Sequence, residues 1–451
     1  MTRRGMIVAG FTACAMVLGG GGSPSPKAEI LVQAGFAAAA LAWLWWARLD
    51  ETGERHVPRE MLLLGLALLC LPLLQLIPLP PGLWQGLPGR ELELAALKLI
   101  GLGDSWRPLT ISTPRTVAAL LALVPAIGAM WAVSLLGAKD RRILVKAIAA
   151  MALAGALLGA LQMAGGPDAF RLYEKSHRGW LTAFHANRNA AADVLLIGAL
   201  ALTCWFTFSL RKPADLKRRA PLFLAGHMVL LFAVVLTGSR AGIALLALSL
   251  AVHWAILARA GLGRGTKALF GVVAAAFAGL FALPLVIASN SRIARVAERF
   301  DATSDARLPL WQDSLAALDA FWPAGSGLGT FTYAFLPHED QAHLDPFLPN
   351  RAHNDYLEFL LEAGLLAPVI LLGGAYLLFR LARRAWRLSP QEHALHLFAL
   401  GTLAIVALHS IVDYPLRNMA IACLAGVAAG LLTATPEGRG SHSAREGRTK
   451  A

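Results

Sequence analysis

Charge is scarce in this sequence. Only 15% of its 451 residues are Asp, Glu, Lys or Arg, while 57% are hydrophobic and the mean hydropathy is +0.57. A soluble domain carries roughly 25% charged residues, so water is excluded as the only solvent. Cysteine is also sparse: Cys14, Cys70, Cys204 and Cys423 all lie in apolar runs, with no CxxC or Cys/His spacing. That excludes a disulfide framework and a zinc site. The chain has no P-loop, Rossmann glycine fingerprint, HExxH or Gly-x-Ser-x-Gly elbow. ATP-driven transport, nicotinamide chemistry and zinc hydrolysis are therefore disfavoured, and neither cofactor nor metal is expected. Alternating segments of about ten residues, the mark of a membrane barrel, are lacking too.

What is present is a series of long apolar runs, such as Val117–Leu136, Leu222–Leu236 and Ala268–Ala288. Each approaches or reaches the ~20 residues that carry a helix across ~30 Å of hydrocarbon. The pattern predicts an all-α polytopic membrane protein in the lipid bilayer. About 12 transmembrane helices are expected, at 5–22, 29–47, 61–78, 116–137, 143–163, 189–210, 221–237, 240–258, 268–289, 365–381, 397–413 and 417–435.

The formal net charge of +13 is spread in short basic clusters between these spans. Nucleic-acid binding needs one contiguous basic face, so it is not expected. Clusters between spans instead set orientation. Arg48/Arg55/Arg59, Lys139/Arg141/Arg142, Arg211–Arg219, Arg259/Arg264/Lys267 and Arg380–Arg387 all fall inside when the N-terminus is cytoplasmic. Met1-Thr-Arg-Arg with the apolar run to Leu18 could open a signal peptide, but a retained first helix gives this consistent pattern. The expected organisation is 1–289 as transmembrane helices 1–9, with outward loops 79–115 and 164–188. A large, partly helical periplasmic loop at 290–364 follows, then helices 10–12 at 365–435 and a basic cytoplasmic tail at 436–451.

Loop 79–115 is rich in Pro and Trp (Pro80, Pro81, Trp84, Trp106), which suits an interfacial loop with aromatic anchors. Loop 290–364 holds 5 Arg or Lys against 11 Asp or Glu, so it is acidic within a basic protein. A loop beyond about 15 residues is usually functional or disordered. This one carries helix signals at Asp313–Phe321 and Asp355–Glu358, and a turn at Pro323–Gly329.

Chemistry-bearing residues gather at the outward ends. Leu236-Thr-Gly-Ser-Arg-Ala-Gly242 sets the permanent cation of Arg240 at the membrane boundary. Its planar donors suit phosphate oxygens, although an arginine at a helix end can simply snorkel. Arg307, in Asp305-Ala-Arg-Leu-Pro-Leu-Trp311, offers a second cation or a surface ion pair with Asp305 or Asp313. In Arg351-Ala-His-Asn-Asp-Tyr-Leu-Glu358, His353 precedes a helix and belongs to the residue type suited to general-base work. Asn354, Glu358 and Glu362 recur every four residues and share one helix face. The bland alternative is a capping segment whose carboxylates pair with arginines. Weaker candidates are Arg188 and Asn189, in Phe184-His-Ala-Asn-Arg-Asn-Ala190, and the His409/Asp413 pair.

Taken together, Gly238-Ser-Arg-Ala-Gly242, Arg307…Trp311, Gly325-Ser-Gly-Leu-Gly-Thr-Phe331 and His353-Asn-Asp-Tyr-Leu-Glu358…Glu362-Ala-Gly364 resemble the O-antigen ligase and polymerase superfamily. Asn187-Arg-Asn189 and Asp413-Tyr-Pro-Leu416 fit the same pattern. The resemblance covers roughly residues 60–435 and implies a metal-independent, inverting glycosyltransferase in the bacterial inner membrane, with its active site facing the periplasm. The implied donor is an undecaprenyl-diphosphate-linked glycan. Acceptors in such families are lipid A-core or another glycan, or serine and threonine in the related protein O-oligosaccharyltransferases. Carried over, the resemblance assigns Arg240 and Arg307 to the diphosphate and His353 to the acceptor proton, with Glu358 or Glu362 orienting the histidine or the acceptor sugar.

Lipopolysaccharide or surface-polysaccharide ligation is the leading expectation, with a polymerase or protein glycosylase as alternatives. A polysaccharide or lipid transporter is the competitor from another class. It would rest on ionisable residues within the spans, for which Asp193, His227 and His253 are the candidates.

Overall fold

The computed structural model describes residues 1–22, 26–47, 56–210, 213–259, 271, 273–275, 307–344 and 348–435. Among them, eight helices are long and apolar enough to cross a membrane: Pro26–Trp46, Thr113–Ser134, Ala138–Gly165, Arg188–Ser209, Ala214–Leu236, Arg240–Ala258, Leu366–Leu388 and Pro390–His409. Three shorter apolar helices, Arg3–Leu18, Arg59–Gln75 and Met419–Leu431, coincide with further expected spans. Most of the expected span at 268–289, most of the basic stretches 48–55 and 259–267, the first part of the 290–364 loop and the 436–451 tail lie outside the described residues.

Helix 188–209 is the hub, with 83% of its apolar window buried. Its sequence is apolar on every side, so no face prefers lipid or water over protein. Small residues let its neighbours approach: a Cβ on Gly198 would come within 2.0 Å of the Ala152 Cβ on helix 138–165. Close backbone approach of this kind replaces the hydrophobic driving force, which is absent between helices in lipid.

The two ends of the bundle differ. At one end Arg141 is fully buried, and its guanidinium donates to the carbonyls of Leu136, Ser134 and Thr433, satisfying open helix C-termini. Arg142 pairs with Glu392 at 3.7 Å, and Arg259 lies over the Trp386 ring. At the opposite end, four of the helices that begin there carry a side-chain cap. Asn187, Ser239, Asn354 and Asn418 accept from the backbone N–H groups of Asn189, Gly242, Tyr356 with Leu357, and Ala420 with Ile421.

The 79–115 segment is more ordered than an aromatic-anchored loop. Strands Pro78–Leu79 and Arg107–Pro108 pair antiparallel, with Pro78 opposite Pro108. Helices Pro81–Trp84 and Glu91–Leu99 lie between them. Trp84 is buried, its Nε1–H donating to the Ser105 carbonyl, so only Trp106 of the two tryptophans stays exposed.

The loop helix expected at Asp313–Phe321 runs instead over Arg307–Phe321. Pro309 does not prevent this, because the first-turn N–H groups have no intrahelical partner anyway. Arg307 therefore stands on the helix and not before it.

Candidate active site

His353 is held from several directions. The residue before it, Ala352, is fully buried; its N–H donates to Glu358 Oε2 at 3.0 Å and its carbonyl accepts from Trp311 Nε1 at 2.9 Å. The residue after it, Asn354, caps helix Asp355–Ala363. Between these fixed points His353 adopts φ +50°. Such backbone is uncommon for a residue with a side chain, and it clusters where surrounding structure over-determines a functional position.

The imidazole Nδ1–H donates to Asp413 Oδ1 at 3.0 Å, and the ring stands edge-on to Tyr414 with centroids 4.8 Å apart. The side chain as a whole is 32% exposed. Asp413 is itself fixed: its Oδ2 accepts from Asn189 Nδ2 at 2.5 Å, at the start of helix 188–209. Burial pushes the Asp413 carboxyl up, yet the His353 hydrogen bond and charge, then His409 and Asn189, outweigh it and hold it down at about 2. Asp413 therefore remains an acceptor that fixes the His353 tautomer. A small cleft adjoins Asp413, lined by Asn187, Asp193, His409, Tyr414 and Asn418 among others.

Glu358 and Glu362 pair with arginines, the alternative their residue type also allows. Both are fully buried within a cluster around Arg417. Arg417 Nη2 lies 2.7 Å from Glu362 and 3.3 Å from Glu358, and its Nε is 3.8 Å from Asp355. Arg351 adds a second cation at 2.8 Å from Glu358. Burial raises Glu358, but the two guanidiniums dominate and keep it below its ordinary value. Burial lifts Glu362 above its own, against Arg417. Burial also carries Asp355 up to about 7, with Arg417 opposing. Glu358 thus orients His353 through the Ala352 backbone, while direct contact with the imidazole belongs to Asp413. Glu362 also accepts the Phe331 N–H, anchoring the glycine turn. Gly325, Gly327 and Gly329 all have positive φ, and a Cβ on Gly325 would meet the Glu362 carbonyl oxygen at 2.7 Å. That close approach is why the turn needs glycine.

The arginines are arranged around the same end. Arg188 and Arg240 are each the first residue of a helix. Helix dipoles disfavour cations there and favour anions, so propensity alone does not account for two arginines in that place. Gly238, at φ +61°, packs so tightly on Trp180 that a Cβ would sit 2.3 Å from the ring, and the Arg188 guanidinium lies 4.9 Å from the same ring centroid. Trp180 thus joins the two arginine motifs. Arg307 is near enough for its charge to act on His409, and its helix reaches the His353 segment through Trp311. The structure therefore brings His353, Asn189, Asn354, Glu358, Glu362, Arg188, Arg240 and Arg307 to one end of the bundle.

Asp413, Arg417, Arg351 and Tyr414 carry parts that the sequence did not assign. The spacing of His409 and Asp413 suggests a pair, and the structure brings His409 Nε2 within 3.9 Å of Asp413 Oδ2. Helix 393–409 ends at His409, and Asp413 also accepts from His353. The closer partner of His409 is Asp193, at 2.6 Å. His227 and His253 meet at the Thr203 hydroxyl, 2.9 and 2.7 Å away, as a satisfied polar contact between spans. Among the described residues no three His, Cys, Asp or Glu side chains converge on a metal-sized site.

The assembly is a multi-pass helical membrane protein with a histidine–carboxylate pair and several arginines at one end. Comparison with protein families narrows the class: residues 225–372 match the family model described as O-Antigen ligase. The match contains Arg240, Arg307, His353 and the Arg417-binding carboxylates of the loop helix, while Asn189 and Asp413 fall outside it. It supports the O-antigen ligase superfamily, a membrane enzyme of the ligase and polymerase type. No curated protein matches the chain.

Proposed function

We propose that the protein transfers a glycan from undecaprenyl diphosphate to a sugar acceptor on the periplasmic face of the inner membrane, as an O-antigen ligase. The observation that carries this reading is the His353–Asp413 pair, with Nδ1 engaged by the carboxylate and the imidazole side chain 32% exposed. In the reaction, His353 Nε2 takes the proton of the acceptor hydroxyl as its oxygen attacks the anomeric carbon. The bond from that carbon to the diphosphate oxygen breaks, and its electron pair leaves with the lipid diphosphate. Attack opposite the departing group inverts the anomeric centre. Asp413 keeps the imidazole in the tautomer that can accept the proton and stabilises the imidazolium formed.

Negative charge grows on the departing diphosphate. Arg240 and Arg307, with Arg188 beside them, supply fixed cations that favour the transition state over the ground state. Helix N-termini at the same end add oriented N–H groups suited to phosphate. This arrangement gives the arginines a reason to occupy helix starts.

The test is deletion of the gene and complementation with wild type or His353→Ala, read on a gel of surface polysaccharide. Loss of full-length chains from lipid A-core, restored by wild type but not by inserted His353→Ala, is the expected result. Loss of long chains with single units still attached assigns polymerase activity instead. Normal chains in cells carrying His353→Ala remove the histidine from the mechanism.

A further inference from the structure

Behind the His353–Asp413 pair stands a second histidine–carboxylate pair of the same kind. His409 is 1% exposed and Asp193 is 0% exposed, and His409 Nδ1 lies 2.6 Å from Asp193 Oδ1. The other ring nitrogen, Nε2, is 3.9 Å from Asp413 Oδ2. The four groups therefore alternate, His353, Asp413, His409, Asp193, from the partly exposed mouth into the packed bundle. Neither His409 Nε2 nor Asp193 Oδ2 makes a hydrogen bond among the described residues, although both are buried. Ionisable groups in a membrane bundle are rare and mark function by default, and the reaction proposed above does not yet use this pair.

Resting on that reading of the site, we infer that Asp193 and His409 are positioning residues that set the charge of the catalytic pair. Two carboxylates on either side of one imidazole repel each other in a low dielectric, and one takes up a proton unless a cation stands between them. With His409 as imidazolium, Asp193, His409 and Asp413 sum to a single negative charge. That charge is neutralised when His353 accepts the acceptor proton, so the buried cluster is complementary to the transition state and not to the resting state. Among the described residues, Asn189 on Asp413, Tyr414 beside it, and Arg307, whose charge acts on His409, also face the cluster.

The experiment uses purified full-length protein in liposomes, with a labelled lipid-diphosphate-linked glycan and a lipid A-core acceptor. The single variants His409→Gln and Asp193→Asn each lower kcat by on the order of 10-fold or more, with the donor KM within about twofold of wild type. In His409→Gln the acidic limb of the kcat profile moves to higher pH, because Asp413 then faces Asp193 with no cation between them. The double variant restores the single negative charge on Asp413 and exceeds both single variants in kcat. A pair that merely packs the bundle gives the opposite, a double variant no better than the worse single one. That outcome overturns the inference, as do wild-type kcat and pH profile in both single variants. His353→Ala runs in parallel: if it also transfers normally, the proposed reaction itself is at fault. Because the double variant buries no uncompensated pair, its melting temperature and kcat keep the comparison decisive should a single variant fold poorly.

Discussion

Replacing Asp413 by Asn removes one charge and one acceptor while leaving the shape of the site intact. In the native site Asp413 accepts from two donors, His353 Nδ1 at 3.0 Å and Asn189 Nδ2 at 2.5 Å. An amide has one oxygen and one NH₂ group, so placing oxygen toward one donor turns NH₂ toward the other. The donor left facing NH₂ costs about 1–3 kcal/mol as an unmade buried hydrogen bond. The charge contributes as well: unit charges about 4 Å apart at an effective dielectric of about 20 attract by about 4 kcal/mol. Since the His353 side chain is 32% exposed, about half of that is a fair allowance after screening. The imidazolium that forms as the acceptor loses its proton therefore loses about 3–5 kcal/mol of support, or roughly 10²–10⁴-fold in kcat. The assay is transfer of a labelled lipid-linked glycan by the reconstituted protein, with kcat and donor KM measured separately. A drop in kcat at nearly constant KM is expected, because Asp413 lies on the proton-transfer side of the site. Native kcat in a variant with a native melting temperature would refute the tautomer argument.

Other consequences follow from the same geometry. Arg417→Met leaves Asp355, Glu358 and Glu362 buried around a missing cation and should destabilise the protein by about 3–5 kcal/mol, seen as a large fall in detergent melting temperature. An unchanged melting temperature would show that the three carboxylates do not depend on Arg417. Burial raises Asp355 to about 7, so the folded protein binds this proton more tightly than the unfolded chain, where Asp titrates near 4. Its contribution to stability is present below about pH 4 and is lost as pH rises through about 7. Asp355→Asn should flatten the melting profile across that window, and an identical slope would contradict the assignment. Arg240→Lys and Arg307→Lys keep the charge but lose the planar fork. Each should reduce kcat/KM for the lipid-diphosphate donor by roughly 10-fold or more, whereas native values would place those arginines away from the diphosphate.

The fold was legible where a single physical cause dominated. Long apolar runs located the helices because lipid requires them, and glycine at 325, 327 and 329 marked a turn because the backbone there has positive φ. The helix signal at Asp355–Glu358 marked a helix start, which Asn354 caps. Relations between distant segments were not legible. Asp413 reaches His353 across sixty positions of sequence, a contact closer than the one to His409 that its spacing suggests. Glu358 and Glu362 were correctly placed on one inward face, yet their partner Arg417 lies after the following two spans. Trp84 resembled an interfacial anchor by type, but a hydrogen bond to Ser105 turns it inward. Side-chain type and spacing thus picked out candidates that the structure gathers at one end of the bundle, while their pairing required the packed helices.

The central claim is that His353 moves the acceptor proton with the lipid-linked donor held beside it. Its most direct test is single-turnover transfer by purified wild-type protein and His353→Gln, matched for melting temperature and for binding of a fluorescent lipid-diphosphate-linked glycan. The account predicts that His353→Gln binds the donor as wild type does but forms product slower by at least about 10²-fold. Equal single-turnover rates in the two proteins would contradict it.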